Sequence, residues 1–236
     1  MEKETFNGYI YGLILGDGYL DSGIHKRSFR IKSINLDFIN SIENYLNKET
    51  NLKTKVIRYD SSLRGGVQRQ AYKELTISSH PYFAKIYHEF YDDFKGRIIT
   101  NHALDKLTIQ GLANWYMSDG YVVKVGLTKG KIVDRRVELA LDRYTEKDVE
   151  KIQTFLKDKL GFKTSMIKRK KGVYRLRMSL MDSQKFFLMI EPYIVDSFMF
   201  KLNLAYDYQP NWMSDEYFDL MNKLQNAKLL TNPYSG

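Results

Sequence analysis

Ile10-Tyr11-Gly12-Leu13-Ile14-Leu15-Gly16-Asp17-Gly18 is an apolar run that ends in an acid and a glycine. A second version, Leu112-Ala113-Asn114-Trp115-Tyr116-Met117-Ser118-Asp119-Gly120, places its acid 102 residues after the first. Each run has helical spacing and stands before a strand-like segment. An acid at the C-terminal end of a helix is the wrong charge for the helix dipole, so its double placement calls for a compensating cation.

The doubled phrase belongs to a longer repeat. Helical spacing over Asp37 to Leu46 recurs over Thr145 to Leu160, at an offset of 110. Thr145 reads as an N-cap followed by early acids. The same offset relates Leu52-Lys53-Thr54-Lys55-Val56-Ile57-Arg58 to Phe162-Lys163-Thr164-Ser165-Met166-Ile167-Lys168. It falls to 101 where Leu75-Thr76-Ile77-Ser78 meets Leu176-Arg177-Met178-Ser179, and is 104 between Arg97 and Lys201. Changing offsets predict loops of unequal length. The second half has the longer first hairpin, near Gly126 to Arg135, and the first half the longer second loop, Tyr59 to Gln70. The repeat predicts an α+β fold of two pseudo-symmetric αββαββα units, each with a four-stranded antiparallel sheet. Their expected bounds are residues 1–100 and 101–205, followed by a helical tail at 206–236.

Composition limits the function classes. The chain has 236 residues, 43% hydrophobic, which suits a substantial core. It has no cysteine, so it builds neither a disulfide scaffold nor a thiolate metal site. Four scattered histidines offer no histidine cluster. No window holds 18 consecutive apolar residues, so no membrane partner is expected. The net charge is +9, unevenly spread. Windows 24–34, 52–73, 123–136 and 163–177 carry 22 of the 37 Lys and Arg but only two of the 28 acids. All four fall on predicted strands and hairpins. Alternation sets Arg30 and Lys32 against Phe29, Ile31 and Ile34, and Arg175 and Arg177 against Leu176 and Met178. One face of each sheet then packs on helices while the other is basic, the footprint of a polyanion partner. A ten-residue strand spans roughly 33 Å, so two such sheets cover on the order of 20 base pairs.

These motifs resemble the LAGLIDADG family of homing endonucleases over about residues 5–205. The first phrase matches the namesake at its glycine, its apolar positions and its final acid and glycine. The aromatic-rich second phrase, with Asn114 in place of the first glycine, is similar to the I-SceI branch of that family. Gly12 and Gly16, four apart, form a smooth helix face, and the matching residues are Asn114 and Ser118. A less symmetric helix interface than in homodimeric relatives is therefore expected.

The resemblance implies a site-specific, monomeric endonuclease that cuts double-stranded DNA and promotes intron or intein mobility. It implies that Asp17 and Asp119 ligate divalent metal, with the carbonyls of Gly16 and Ser118 as further ligands. Two or three Mg²⁺ ions suit carboxylates, and Mn²⁺ is expected to substitute. Lys201 occupies the place of an active-site lysine, with Arg97 as its counterpart and Lys95 as an alternative to Arg97. Candidate DNA contacts are Lys26, Arg30, Lys32, Arg58, Arg64, Gln68, Arg69, Gln70, Lys131, Arg135, Lys168, Lys170, Arg175 and Arg177. Gln68, Arg69 and Gln70 suit base reading. The same fold also accommodates an RNA maturase that binds intron RNA, or a nuclease-inactive DNA-binding regulator. Retention of both acids favours the nuclease. The start, Met1-Glu2-Lys3-Glu4-Thr5-Phe6, is unlike a transit or signal peptide. Action is therefore expected where the gene resides, in an organelle or in bacterial or phage-infected cytoplasm.

Overall fold

The computed structural model describes residues 3–21, 27–64, 67–92, 96–128, 131–170 and 172–202. The two apolar phrases form helices α1 (Lys3–Leu15) and α5 (Ile109–Asp119), which pack directly on each other. α5 begins where the Thr108 side chain accepts from the Gly111 N–H, an N-cap hydrogen bond that satisfies one otherwise orphaned donor. Ile10, Leu13, Ile14 and Leu15 are buried on α1, as are Leu112, Ala113, Trp115 and Tyr116 on α5.

α1 leads into β1 (Tyr19–Leu20), β2 (Arg27–Ser33), α2 (Leu36–Glu49), β3 (Thr54–Tyr59), a small β4 (Ser62–Arg64) and β5 (Val67–Arg69) pair, β6 (Tyr72–His80) and α3 (Pro81–Ile86). A short β7 (Tyr91–Asp92) and β8 (Gly96–Arg97) pair and α4 (Asn101–Asp105) connect to α5. The second series is β9 (Gly120–Thr128), β10 (Lys131–Ala140), α6 (Glu146–Leu160), β11 (Thr164–Lys170), β12 (Val173–Met178) and α7 (Leu180–Ile190). A 3₁₀ segment, Asp196–Lys201, closes the described chain.

The two main sheets are antiparallel and share one order. The first is β1-β2-β6-β3 and the second β9-β10-β12-β11. Val56 lies opposite Leu75 in the first, and Met166 opposite Leu176 in the second. These pairs are related by the offsets 110 and 101, so the repeat extends to strand register. The helix caps repeat too: Asn35 accepts from Phe38 N–H, and Thr145 from Asp148 N–H.

Three details differ from the sequence expectation. The longer first hairpin of the second half is strand rather than loop, since β9 and β10 run 9 and 10 residues against 2 and 7 for β1 and β2. The long second loop of the first half carries its own ladder, β4 against β5. Ile34 is 64% exposed: it falls just past β2, where the alternation that buries Phe29 and Ile31 has ended. The proposed tail lies outside the described residues. Among the described residues no helix is long and apolar enough to cross a membrane.

Candidate functional site

The α1–α5 contact is made backbone to backbone. A Cβ added at Gly12 would lie 1.9 Å from the Gly111 carbonyl oxygen, and one at Gly111 would lie 2.1 Å from the Gly8 carbonyl oxygen. A Cβ at Gly16 would meet the Ser118 Cβ at 2.5 Å. Gly16 therefore faces Ser118, its repeat counterpart, whereas Gly12 faces Gly111 rather than Asn114. Asn114 instead turns its amide to the Tyr9 carbonyl, at 3.5 Å. The repeat sets Gly12 against Asn114 and Tyr9 against Gly111, so small and large residues have traded places between the helices.

Close packing brings the two helix ends together, and with them Asp17 and Asp119. The Asp119 carboxyl is pushed up to about 6 from its ordinary 3.8. Burial is the main cause and the negative charge of Asp17 the next, opposed by Arg143, Arg97 and Lys201. The compensating cations are thus present. Lys201 Nζ donates to the Met117 carbonyl at 2.6 Å. Arg97 Nη2 donates to the carbonyls of Gly16 and Gly18, both at 3.3 Å. Each covers carbonyls at the end of its own half's motif helix, the favourable place for a cation. Burial lowers the pKa of the Lys201 ammonium against the pull of Asp119 and Asp17.

Arg143 is a member of this cluster that sequence reasoning missed. It sits in the turn between β10 and α6 and reaches the other half's motif. Its Nη2 lies 3.2 Å from Asp17 Oδ1, and its Nη1 donates to the Gly16 carbonyl at 3.0 Å. Neighbouring Tyr144 donates its hydroxyl to the Leu15 carbonyl at 3.2 Å. The repeat counterpart of Arg143 is Ser33, so the two halves differ here. The signal lay outside the basic windows, as a lone arginine just before a helix cap. The Gly16 carbonyl accepts from both Arg97 and Arg143, so a metal ion bound there would displace a guanidinium.

The raised Asp119 pKa makes a stability prediction. Its folded pKa exceeds its unfolded one, so the contribution of this carboxyl is fully present below about 3.8 and is lost as pH rises through about 6. Asp119→Asn in chelator-treated protein should therefore gain up to about 3 kcal/mol over the wild type at pH 7.5. At pH 4 the gain should nearly vanish. Urea titrations of both proteins at the two pH values measure it.

The two sheets carry the other candidate residues. Arg30 and Lys32 share Glu74, at 3.9 and 3.2 Å. Arg58 pairs with Asp60 at 3.1 Å, and Lys168 with Glu146 at 3.7 Å. Arg175 binds Asp142 at 3.0 Å, and Arg177 reaches Glu138. Gln70, Arg135 and Lys170 are exposed. Lys26 and Lys95 lie outside the described residues, and Arg64, Gln68, Arg69 and Lys131 are positioned by the backbones of their strands. The basic face is thus interleaved with acids. Glu74 and Glu138 sit just beyond the basic windows of the sequence, which is why that count did not include them.

A family model described as the LAGLIDADG DNA endonuclease family matches residues 8–186. The chain belongs to that family. It is 24% identical over 208 residues to DNA endonuclease I-ChuI of Chlamydomonas applanata, covering 82% of this chain and 92% of that protein. Among solved structures, the homing endonuclease I-WcaI bound to its DNA recognition sequence superposes with a TM-score of 0.72 at 20% identity, covering 85% of this chain and 86% of that one. The N-terminal LAGLIDADG domain of DUF199/WhiA gives 0.51 at 14% identity, covering 86% and 88%. These likenesses lend no support to the narrower resemblance to the I-SceI branch.

Proposed function

We propose that this LAGLIDADG protein is a site-specific, metal-dependent homing endonuclease that cuts both strands of a long DNA target. The observation that carries the proposal is the pair Asp17 and Asp119, brought together by two helices in backbone contact and flanked by two strand faces rich in arginine and lysine. Two converging carboxylates, the charge of Asp17 helping to raise the proton affinity of the buried Asp119, suit a hard divalent cation. Among the described residues they have no third acid or histidine to complete a ligand set. Asp17 and Asp119 would hold the metal, the Ser118 carbonyl would add a ligand, and phosphate oxygens and water would complete the shell. Such an ion supplies charge neutralisation at the phosphodiester and an acidified water.

The chain's own residues do the rest. Lys201, anchored on the Met117 carbonyl with its proton affinity lowered by burial, is suited to exchange a proton near the reacting phosphate. Arg97 keeps its proton near neutrality and serves as a fixed positive charge. Arg143 holds Asp17 in place and adds a second such charge on one side only. The two strands therefore meet unlike surroundings. Lys201→Met should slow the nicking of one strand by about 10²-fold, and Arg143→Gln should chiefly slow the other. Strand-resolved kinetics on doubly end-labelled DNA, with equal slowing of both strands by each variant, would contradict this assignment. The basic strand faces are proposed to straddle duplex DNA, with phosphate contacts setting affinity and Arg or Gln contacts to base edges setting the sequence. The direct test is cleavage of DNA that joins the sequences flanking the gene, with and without Mg²⁺. No cleavage of that DNA in Mg²⁺ or Mn²⁺ would defeat the proposal.

A further inference from the structure

Glu138 is a carboxylate with no solvent-accessible surface, on the strand face that also carries Arg175 and Arg177. Its neighbours Val137 and Leu139 point into the core, so Glu138 points to the opposite side, beneath the basic face. Each of the other three strands of the second sheet sends a residue to it. From β9, the Tyr121 hydroxyl donates to Oε1. From β12, Arg177 Nε donates to Oε2 at 2.9 Å, and its Nη2 lies 2.8 Å from the same oxygen. From β11, Arg169 Nη2 donates to Oε1 at 3.3 Å. The ladder between β11 and β12 shifts register between Lys168 and Lys170, so Arg169 is the bulged residue, and bulges re-aim side chains. Tyr121 also accepts from Arg175 Nε at 3.3 Å, joining that arginine to the cluster. Burial would raise the pKa of the Glu138 carboxyl, but Tyr121, Arg177 and Arg169 outweigh it and hold it low.

A buried ion cluster is weak evidence of stabilisation, because desolvation offsets much of the attraction. On a face that meets a polyanion, a carboxylate also subtracts from general affinity. What this cluster supplies is orientation. It fixes two guanidinium planes while each arginine keeps further N–H donors free of Glu138, out of five in all. Arg169 and Arg177 remain 51% and 26% exposed. A fixed guanidinium fork discriminates base edges, whereas a freely rotating one serves any phosphate.

We propose that Glu138 is a specificity-determining positioning residue, holding Arg169 and Arg177 as base readers for the half-site that faces the second sheet. The inference rests on the DNA-binding reading above. The test uses a randomised duplex pool, selected separately by wild-type protein and by Glu138→Gln, then filter binding of the wild-type consensus and a scrambled duplex. Glu138→Gln should leave scrambled-duplex affinity unchanged or tighter. It should lower the consensus-to-scrambled ratio about tenfold. The selected sequences should lose information in one half-site only. A parallel fall in affinity for both duplexes, a loss spread over both half-sites, or an unchanged ratio would overturn the role of Glu138. Wild-type protein that selects no sequence would instead overturn the DNA reading itself. If Glu138→Gln fails to fold, Tyr121→Phe decides. That variant removes one donor to Glu138 and should lower the ratio about threefold over the same half-site, and an unchanged ratio would overturn the proposal.

Discussion

Gly12→Ala should destabilise the protein by about 3–5 kcal/mol and abolish cleavage. The added methyl would sit 1.9 Å from the Gly111 carbonyl oxygen, 2.4 Å from its carbonyl carbon and 2.5 Å from its Cα. All three are backbone atoms of a helix, which cannot swing aside as a side-chain tip can. The helices must separate, and overpacking against such a rigid partner costs more than its usual range of about 1–3 kcal/mol. For a chain of this length the loss corresponds to a melting temperature about 10 °C lower. Activity should fall further than stability, because displacing a catalytic group by about 1 Å can alone cost about 10²-fold. Thermal melts together with cleavage assays, run well below the variant's melting point, separate the two effects. A variant that melts and cuts like the wild type would show that the helices do not meet at Gly12.

Asp17→Asn and Asp119→Asn should each lower double-strand cleavage by about 10³-fold or more while leaving DNA affinity within a few fold. The estimate follows from losing several kcal/mol of metal-borne charge stabilisation at the reacting phosphate. The amide is nearly the size of the carboxylate, so helix packing is kept. The two variants should part company in stability. Asp119→Asn relieves a buried, proton-hungry carboxyl, whereas Asp17→Asn removes the partner of Arg143. Full cleavage by both variants in Mg²⁺ would refute the metal assignment. Loss of binding in step with cleavage would make the acids structural.

Much of the architecture was written in the chain as repetition. Two phrases, two helical segments and three offsets were enough to give an α+β repeat with basic strand faces, and the strand register follows the offsets 110 and 101. The candidate cluster was legible where chemistry leaves a local mark, as at Asp17, Asp119 and the cations at positions 97 and 201, which the fold brings together. It was illegible where a residue acts from another part of the chain. Arg143 stands 126 residues from the carboxylate it touches. Gly111 was passed over because the repeat pairs Gly12 with Asn114, while contact across a pseudo-dyad obeys geometry rather than alignment. Glu74 and Glu138 were hidden by summing charge along the chain, since a sheet brings together residues that a window separates.

The exchange of small and large residues between the two motif helices also bears on ancestry. A paired copy of residues 1–100 would set Tyr9 where Gly111 now stands, and a Cβ at that position meets the Gly8 carbonyl oxygen at 2.1 Å. Self-association through this face is sterically closed to the first half in its present form. If the chain arose by fusion of two identical subunits, that step has become irreversible: each half has evolved into the obligate complement of the other, and neither can return to being its own partner.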